Sequence, residues 1–243
     1  MRHSLLPRCL QTIFPGLVLL LSLVSCGRNA TTDSPPAKQP EQTQNVDVDA
    51  LRTLAEQGNA DAQLRLGKAY AAGTGVKRNY KEAAQWYRKA VDTGSLPAHT
   101  ALGELYEAGQ GVKLDYAEAA KLYRAAADKG DVSAQFSLAE MIQAGRGVTK
   151  DQTEAAKWYR AAADQGDPLA QYNLAQRYQL GVGVGVDKVE AYKWYTIAAM
   201  NGQSDSVKAG AKLANDLNAS ELAEAKKRAA SFSPHKTEPT QSK

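Results

Sequence analysis

The chain has 243 residues, with 30 Lys and Arg against 26 Asp and Glu and a formal net charge of +4. Charges of both signs in near balance leave no electrostatic footprint for nucleic acid. With two cysteines and three histidines in all, little side-chain chemistry is on offer.

The first 25 residues read as a secretory signal and not as part of the fold. Arg2 and Arg8 give a positive start, and the apolar run Leu17–Val24 is too short for a permanent span, which needs ~20 residues. Leu23-Val24-Ser25-Cys26 resembles a bacterial lipobox. That resemblance implies cleavage before Cys26, a diacylglycerol on its sulfur and attachment to a membrane through lipid alone. Gly27 in place of an Asp favours, by the same resemblance, the outer membrane facing the periplasm. An ordinary signal peptide with an incidental cysteine is the plainer alternative. Cys9 leaves with the signal and Cys26 is consumed by lipid, so no disulfide is available. Processing leaves 28 basic against 26 acidic residues. Residues 26–46 combine the lipidated Cys26 with Pro, Thr, Gln, Asn and Ala, a composition expected to stay disordered. The 20 residues after Cys26 form a tether with a reach of about 25 Å.

The ordered part is expected over 47–231. Leu51, Leu54, Ala55 and Gly58 in 49–58 look like half a repeat supplying a first capping helix. Four blocks of 36 residues follow without insertion: 59–94, 95–130, 131–166 and 167–202. Such a period means one supersecondary unit stacked on copies of itself. Position 1 of each block (Asn59, Ser95, Asp131, Asp167) is an N-cap type. Ala62, Leu66 and Tyr70 recur at steps of four as one helical stripe. Position 9 is small (Gly67, Gly103, Ala139, Ala175), as close helix crossing requires. Gly73, Gly109, Gly145 and Gly181 then end the helix. Two residues on comes a second glycine column, and Val76, Val112, Val148 and Val184 plug the turn. Asn79, Asp115, Asp151 and Asp187 open a second helix. With Glu82, Glu118, Glu154 and Glu190 three residues later, they predict reciprocal capping boxes. Ala83, Trp86, Tyr87 and Ala90 mark its buried face. Residues 203–231 predict closing helices, with Asn218 and Glu221 as a cap and Leu222, Ala225 and Ala229 inward. Residues 232–243 predict a disordered tail.

On these residues the chain resembles the Sel1-like repeat family, which is related to tetratricopeptide repeats. The resemblance implies an all-α fold, an α/α solenoid of four repeats with terminal capping helices. It further implies an adaptor or assembly role, often in a bacterial envelope, and no particular reaction. Stacked repeats present extended faces in place of a deep pocket, so the expected partner is another envelope protein or peptide.

Positions that vary among the four internal copies are free for other use. By analogy with tetratricopeptide arrays, positions 6, 10 and 13 of the first helix line the concave face. Position 6 is Leu64, Thr100, Phe136 and Tyr172. Position 10 is Lys68, Glu104, Glu140 and Gln176. Position 13 is Ala71, Glu107, Gln143 and Gln179. Phe136 and Tyr172 are candidate interface anchors, or else extended core. The acids with the amides suggest a polar, partly basic ligand segment.

No catalytic, cofactor or metal site is expected. His99 occupies position 5, where the other blocks carry Gln63, Gln135 and Gln171, and reads as an ordinary helix-surface residue. The Glu column is spaced by successive helix pairs about 10 Å apart, too far for shared ligation. Gly181–Val186 stands in register with the other turns and is no phosphate loop. The paired cysteines of family members linked to β-lactams are absent. Two alternatives to the scaffold reading stay open: a peptidoglycan- or glycan-fragment binder, and a cell-wall or β-lactam hydrolase.

Overall fold

In the computed structural model, residues 47–234 are described; they form eleven helices and no strand. The expected signal, lipidated Cys26, tether and the tail from 235 onward lie outside the described residues. After α1 (Val48–Glu56), four helix pairs follow: α2 (Ala60–Ala72) with α3 (Tyr80–Asp92), and α4 (Leu96–Ala108) with α5 (Tyr116–Ala127). The others are α6 (Val132–Ala144) with α7 (Gln152–Asp164), and α8 (Pro168–Leu180) with α9 (Lys188–Met200). Then α10 (Ser204–Ala214) and α11 (Ala219–Ala230) both pack on α9. Each helix meets the next in the chain from α1 to α10, so the array is a solenoid of nearest neighbours.

The caps explain where each first helix begins. Asn59, Asp131 and Asp167 accept the N–H of Ala62, Ala134 and Ala170 at 2.9, 2.8 and 2.6 Å, whereas Ser95 makes no side-chain cap bond. The first turn glycine is left-handed in all four blocks, with φ of 78°, 65°, 71° and 71°. The second has a further duty. A Cβ on Gly111, Gly147 or Gly183 would stand 2.2, 2.2 or 2.0 Å from the backbone of Tyr80, Tyr116 or Gln152. Each turn therefore lies directly on the start of the preceding block's second helix.

Position 9 is small for a reason internal to the block. A Cβ on Gly67 or Gly103 would strike the ring of Tyr87 or Tyr123, at 2.4 and 2.8 Å. The column of Tyr87, Tyr123, Tyr159 and Tyr195 is at most 4% exposed and forms the middle of the core.

The second helices are not held by reciprocal capping boxes. Asn79, Asp115, Asp151 and Asp187 do cap them by side chain. Their own N–H groups instead donate to the carbonyls of Tyr70, Tyr106, Ile142 and Tyr178, at 2.8, 3.0, 3.3 and 2.9 Å. With that donor taken, the Glu column has nothing to cap. Glu154 pairs with Arg124 at 2.9 Å, and Glu190 accepts from Trp194 Nε1 at 3.0 Å. A full reciprocal box forms only at Asn218 and Glu221 of α11 among the described helices.

The ends differ from expectation in two places. Leu54 is 48% exposed beside buried Leu51 and Ala55, because no block precedes α1 among the described residues. Phe232, assigned to the tail, packs edge-on against Trp194 with ring centroids 5.3 Å apart, so the ordered chain runs past 231. Closing helix α11 carries Ala225 and Ala229 inward.

Candidate functional site

The position-29 tyrosines reach through their block to the first helix. Tyr123 donates its hydroxyl to Glu107 at 3.0 Å, Tyr159 to Gln143 at 3.2 Å and Tyr195 to Gln179 at 2.8 Å. The one hydroxyl hydrogen of Tyr159 is shared between Gln143 and Glu140. The first block has Ala71 at this place and no such bond. Burial pushes the phenols of Tyr87 and Tyr195 up to about 12, with the charge of Glu104 adding at Tyr87 and interaction with Tyr172 at Tyr195. Those of Tyr123 and Tyr159 are raised further, first by burial and then by Glu107 and Glu140.

The expected binding residues therefore separate into groups. Leu64 and Thr100, 8% and 6% exposed, are not groove residues: Leu64 joins the core cluster of α2 to α5, and Thr100 donates to the Asp131 cap at 3.2 Å. Phe136 and Tyr172 are half-buried, their rings 5.8 and 5.7 Å from Tyr159 and Tyr195. Glu107 is committed twice, to Tyr123 and, at 2.9 Å, to Arg146. Glu104 is exposed, yet desolvation is the first cause raising its carboxyl, followed by the charge of Glu107. Lys68 is exposed, while Gln179 is half-buried under Tyr195.

Gln143 and Gln176 come together in an open groove of about 600 Å³ between α6 and α8, closed by turn residues Lys150 and Val182. Gln152, Asn173 and Arg177 complete its polar lining. Arg177 is 4% exposed. Its Nη1 donates to the Gln152 carbonyl at 3.3 Å, to Gln152 Oε1 at 3.2 Å and to the Val182 carbonyl at 3.2 Å. Nη2 donates to Gln143 Oε1, and the guanidinium lies 4.7 Å over the Tyr159 ring. Burial lowers its pKa from the ordinary arginine value. Arg177 stands at position 11, outside the expected groove positions 6, 10 and 13. At position 11 the other blocks carry Ala69, Leu105 and Met141, and that departure was the available signal.

His99 also changes meaning. Gln63, Gln135 and Gln171 are 4%, 5% and 0% exposed, so position 5 is a buried polar column and not helix surface. His99 itself is half-buried and contacts the Ser95 carbonyl through Nδ1 at 2.9 Å.

The Sel1 repeat profile matches residues 60–95, 96–131, 132–167 and 168–203, one residue out of phase with the blocks above. Among solved structures, the chain is similar to c5321, a protective antigen present in uropathogenic Escherichia coli strains. The two share 33% identity at a TM-score of 0.71, over 76% of this chain and 40% of that one. It is also similar to a Sel1 repeat protein from Oxalobacter formigenes, at 38% identity and a TM-score of 0.61, over 64% of each chain. The match thus spans less than two thirds of either relative. A search of curated proteins found no match.

Proposed function

Because the chain belongs to the Sel1 repeat family, whose solenoids are generally non-catalytic scaffolds for protein–protein interaction, we propose that it is an envelope-anchored scaffold. It holds a segment of another envelope protein in the groove between its first helices. The observation that carries this reading is the groove between α6 and α8, whose lining includes Gln143, Gln176 and Arg177, side chains that vary among the internal copies. The repeat does not dictate their identity, and although Gln143 and Arg177 also bond within the array, all three face the groove. Phe136 and Tyr172, half-buried on the same first helices, add contact area, as interface aromatics do. The lipobox resemblance at Cys26 supports attachment by lipid, with the array held off the outer membrane on the periplasmic side by residues 26–46.

Affinity capture with the detergent-solubilised full chain against envelope extract tests the scaffold. A protein partner lost on altering Gln143 and Gln176 together supports it. Recovery of muropeptides without any protein moves the reading to glycan binding. For the anchor, metabolic labelling with a fatty acid should mark the parent and not Cys26→Ser; an unlabelled parent removes the lipid anchor from the account.

A further inference from the structure

We propose that the groove between α6 and α8 receives a carboxylate side chain on an acidic, extended segment of the partner protein, with Arg177 and Lys150 as its cationic wall. This rests on the scaffold reading and names the chemistry of its partner.

The burial of Arg177 is unusual for a cation. A cation taken out of water is costly unless an opposite charge compensates it. Arg177 is 4% exposed, yet its bonds go to the amides of Gln152 and Gln143 and to two main-chain carbonyls. Among the described residues no carboxylate forms an ion pair with it. Glu140 is the carboxylate whose charge acts on it, without a direct ion pair, and it also accepts the Tyr159 hydroxyl. A guanidinium has five N–H donors, and besides these bonds it hydrogen-bonds the Tyr159 side chain and lies over its ring.

The walls reinforce the sign. Lys150 is exposed at the groove's end, and the remaining polar lining is amide: Gln143, Gln152, Asn173 and Gln176. No Asp or Glu lines it. Gln143 spends its oxygen on Tyr159 and Arg177, so its Nε2 remains a donor. An anionic oxygen here would meet N–H donors and two positive charges along an open groove, where their attraction is screened by salt. The notion of a basic ligand rested on Glu104, Glu107 and Glu140. Glu107 pairs with Arg146, and none of the three lines the groove, whose charged lining is Arg177 and Lys150.

Fluorescein-labelled hexaglutamate with a blocked C-terminus, titrated into the detergent-solubilised full chain, tests this by anisotropy, with hexaglutamine as control. Hexaglutamate should bind at least tenfold tighter, and its advantage should shrink as salt rises. Arg177→Met should erase at least tenfold of the affinity. The fold should accept this change, since Met141 fills the same position in the third block at 0% exposure. Lys150→Gln, at an exposed site, should cost about threefold and decides the matter if Arg177→Met fails to fold. Equal binding of the two probes overturns the proposal, as does unchanged hexaglutamate affinity in the folded variants. A captured envelope protein that binds Arg177→Met as well as the parent sinks this inference and leaves the scaffold standing. Arg177-dependent hexaglutamate binding with no captured partner does the reverse.

Discussion

The side-chain amide of Gln171 donates to the carbonyl oxygen of Ala163 at 3.0 Å, across the seam between two blocks. Its own oxygen accepts from Asn201 at 2.9 Å, so one fully buried side chain ties α7, α8 and the end of α9 together. Gln63 and Gln135 repeat the clamp with Ala55 and Thr93, and with Ala127 and Gln165. The second block has His99 there. His99→Gln should supply a donor to the Val91 carbonyl and raise stability by about 0.5–1.5 kcal/mol. Gln171→Leu should cost about 1–3 kcal/mol, because it leaves buried groups unpaired. Urea denaturation of both variants beside the parent measures each; a destabilised His99→Gln refutes the clamp as the seam's missing piece.

Two glycines with positive φ should respond very differently to alanine. Gly94 has φ of 88° and open space around it, so Gly94→Ala should cost only the left-handed strain, about 1–2 kcal/mol. Gly111 has φ of 69°, and an added Cβ would lie 2.2 Å from the Tyr80 carbonyl carbon. The backbone cannot yield as a side chain does, so Gly111→Ala should cost well above that and part the turn from α3. Thermal melts that rank the two variants equally would mean the close approach carries no energy.

Leu138→Ala and Phe136→Ala lie two residues apart on α6. Leu138 is 0% exposed, and its truncation should cost about 2–5 kcal/mol by leaving a cavity. Phe136 is half-buried with its ring edge-on to Tyr159, so its loss forfeits less area plus about 0.5–1.5 kcal/mol of ring contact. The expected order is Leu138→Ala melting well below Phe136→Ala, with partner binding weakened only by the latter. Equal melting temperatures would make Phe136 a core residue.

High pH should weaken the fold through the tyrosine column. Unfolded phenols ionise near pH ~10, whereas those of Tyr87 and Tyr195 are held up to about 12 and those of Tyr123 and Tyr159 higher still. The neutral form is the one the core favours. The stabilisation is therefore complete below pH ~10 and is lost as pH climbs toward the folded values, since the unfolded chain then binds fewer protons. Absorbance of tyrosinate should show these four rings titrating only as helix content collapses. Ionisation of all eleven tyrosines near pH 10 with the helices intact would contradict it.

The architecture was legible because every block obeys the same local rules: cap, period of four, left-handed glycine, then a second cap. Periodicity also placed Tyr159 and Trp194 in the core. It could not show that the Asp151 N–H was already spent on the Ile142 carbonyl, since that bond joins the two helices of a block across their turn. Nor could it show that Gln135 is buried, because a polar residue on a helix reads as surface until its partners on neighbouring helices are known. Site residues suffered most for this reason. Thr100 looked free by analogy, yet it serves the Asp131 cap of the following block.

The Glu column separates capping from cross-helix pairing. If Glu82 and Glu190 were both caps, replacing either with alanine would cost a similar amount. Glu82 makes no ion pair or side-chain hydrogen bond among the described residues, so Glu82→Ala should fall within about 0.5 kcal/mol of the parent. Glu190 instead accepts from Trp194 Nε1 at 3.0 Å, pairs with Lys193 at 2.8 Å and lies 3.5 Å from Arg228 on α11. Glu190→Ala leaves the indole N–H of a 0% exposed Trp194 without its acceptor and should cost about 1–3 kcal/mol. Because repeats couple only to neighbours, that loss should appear first at the closing end. Trp194 emission should shift to the red, and amides of α11 should exchange faster, while Leu66 and its surroundings stay protected. Equal losses at Glu82 and Glu190 would restore the capping role to the whole column.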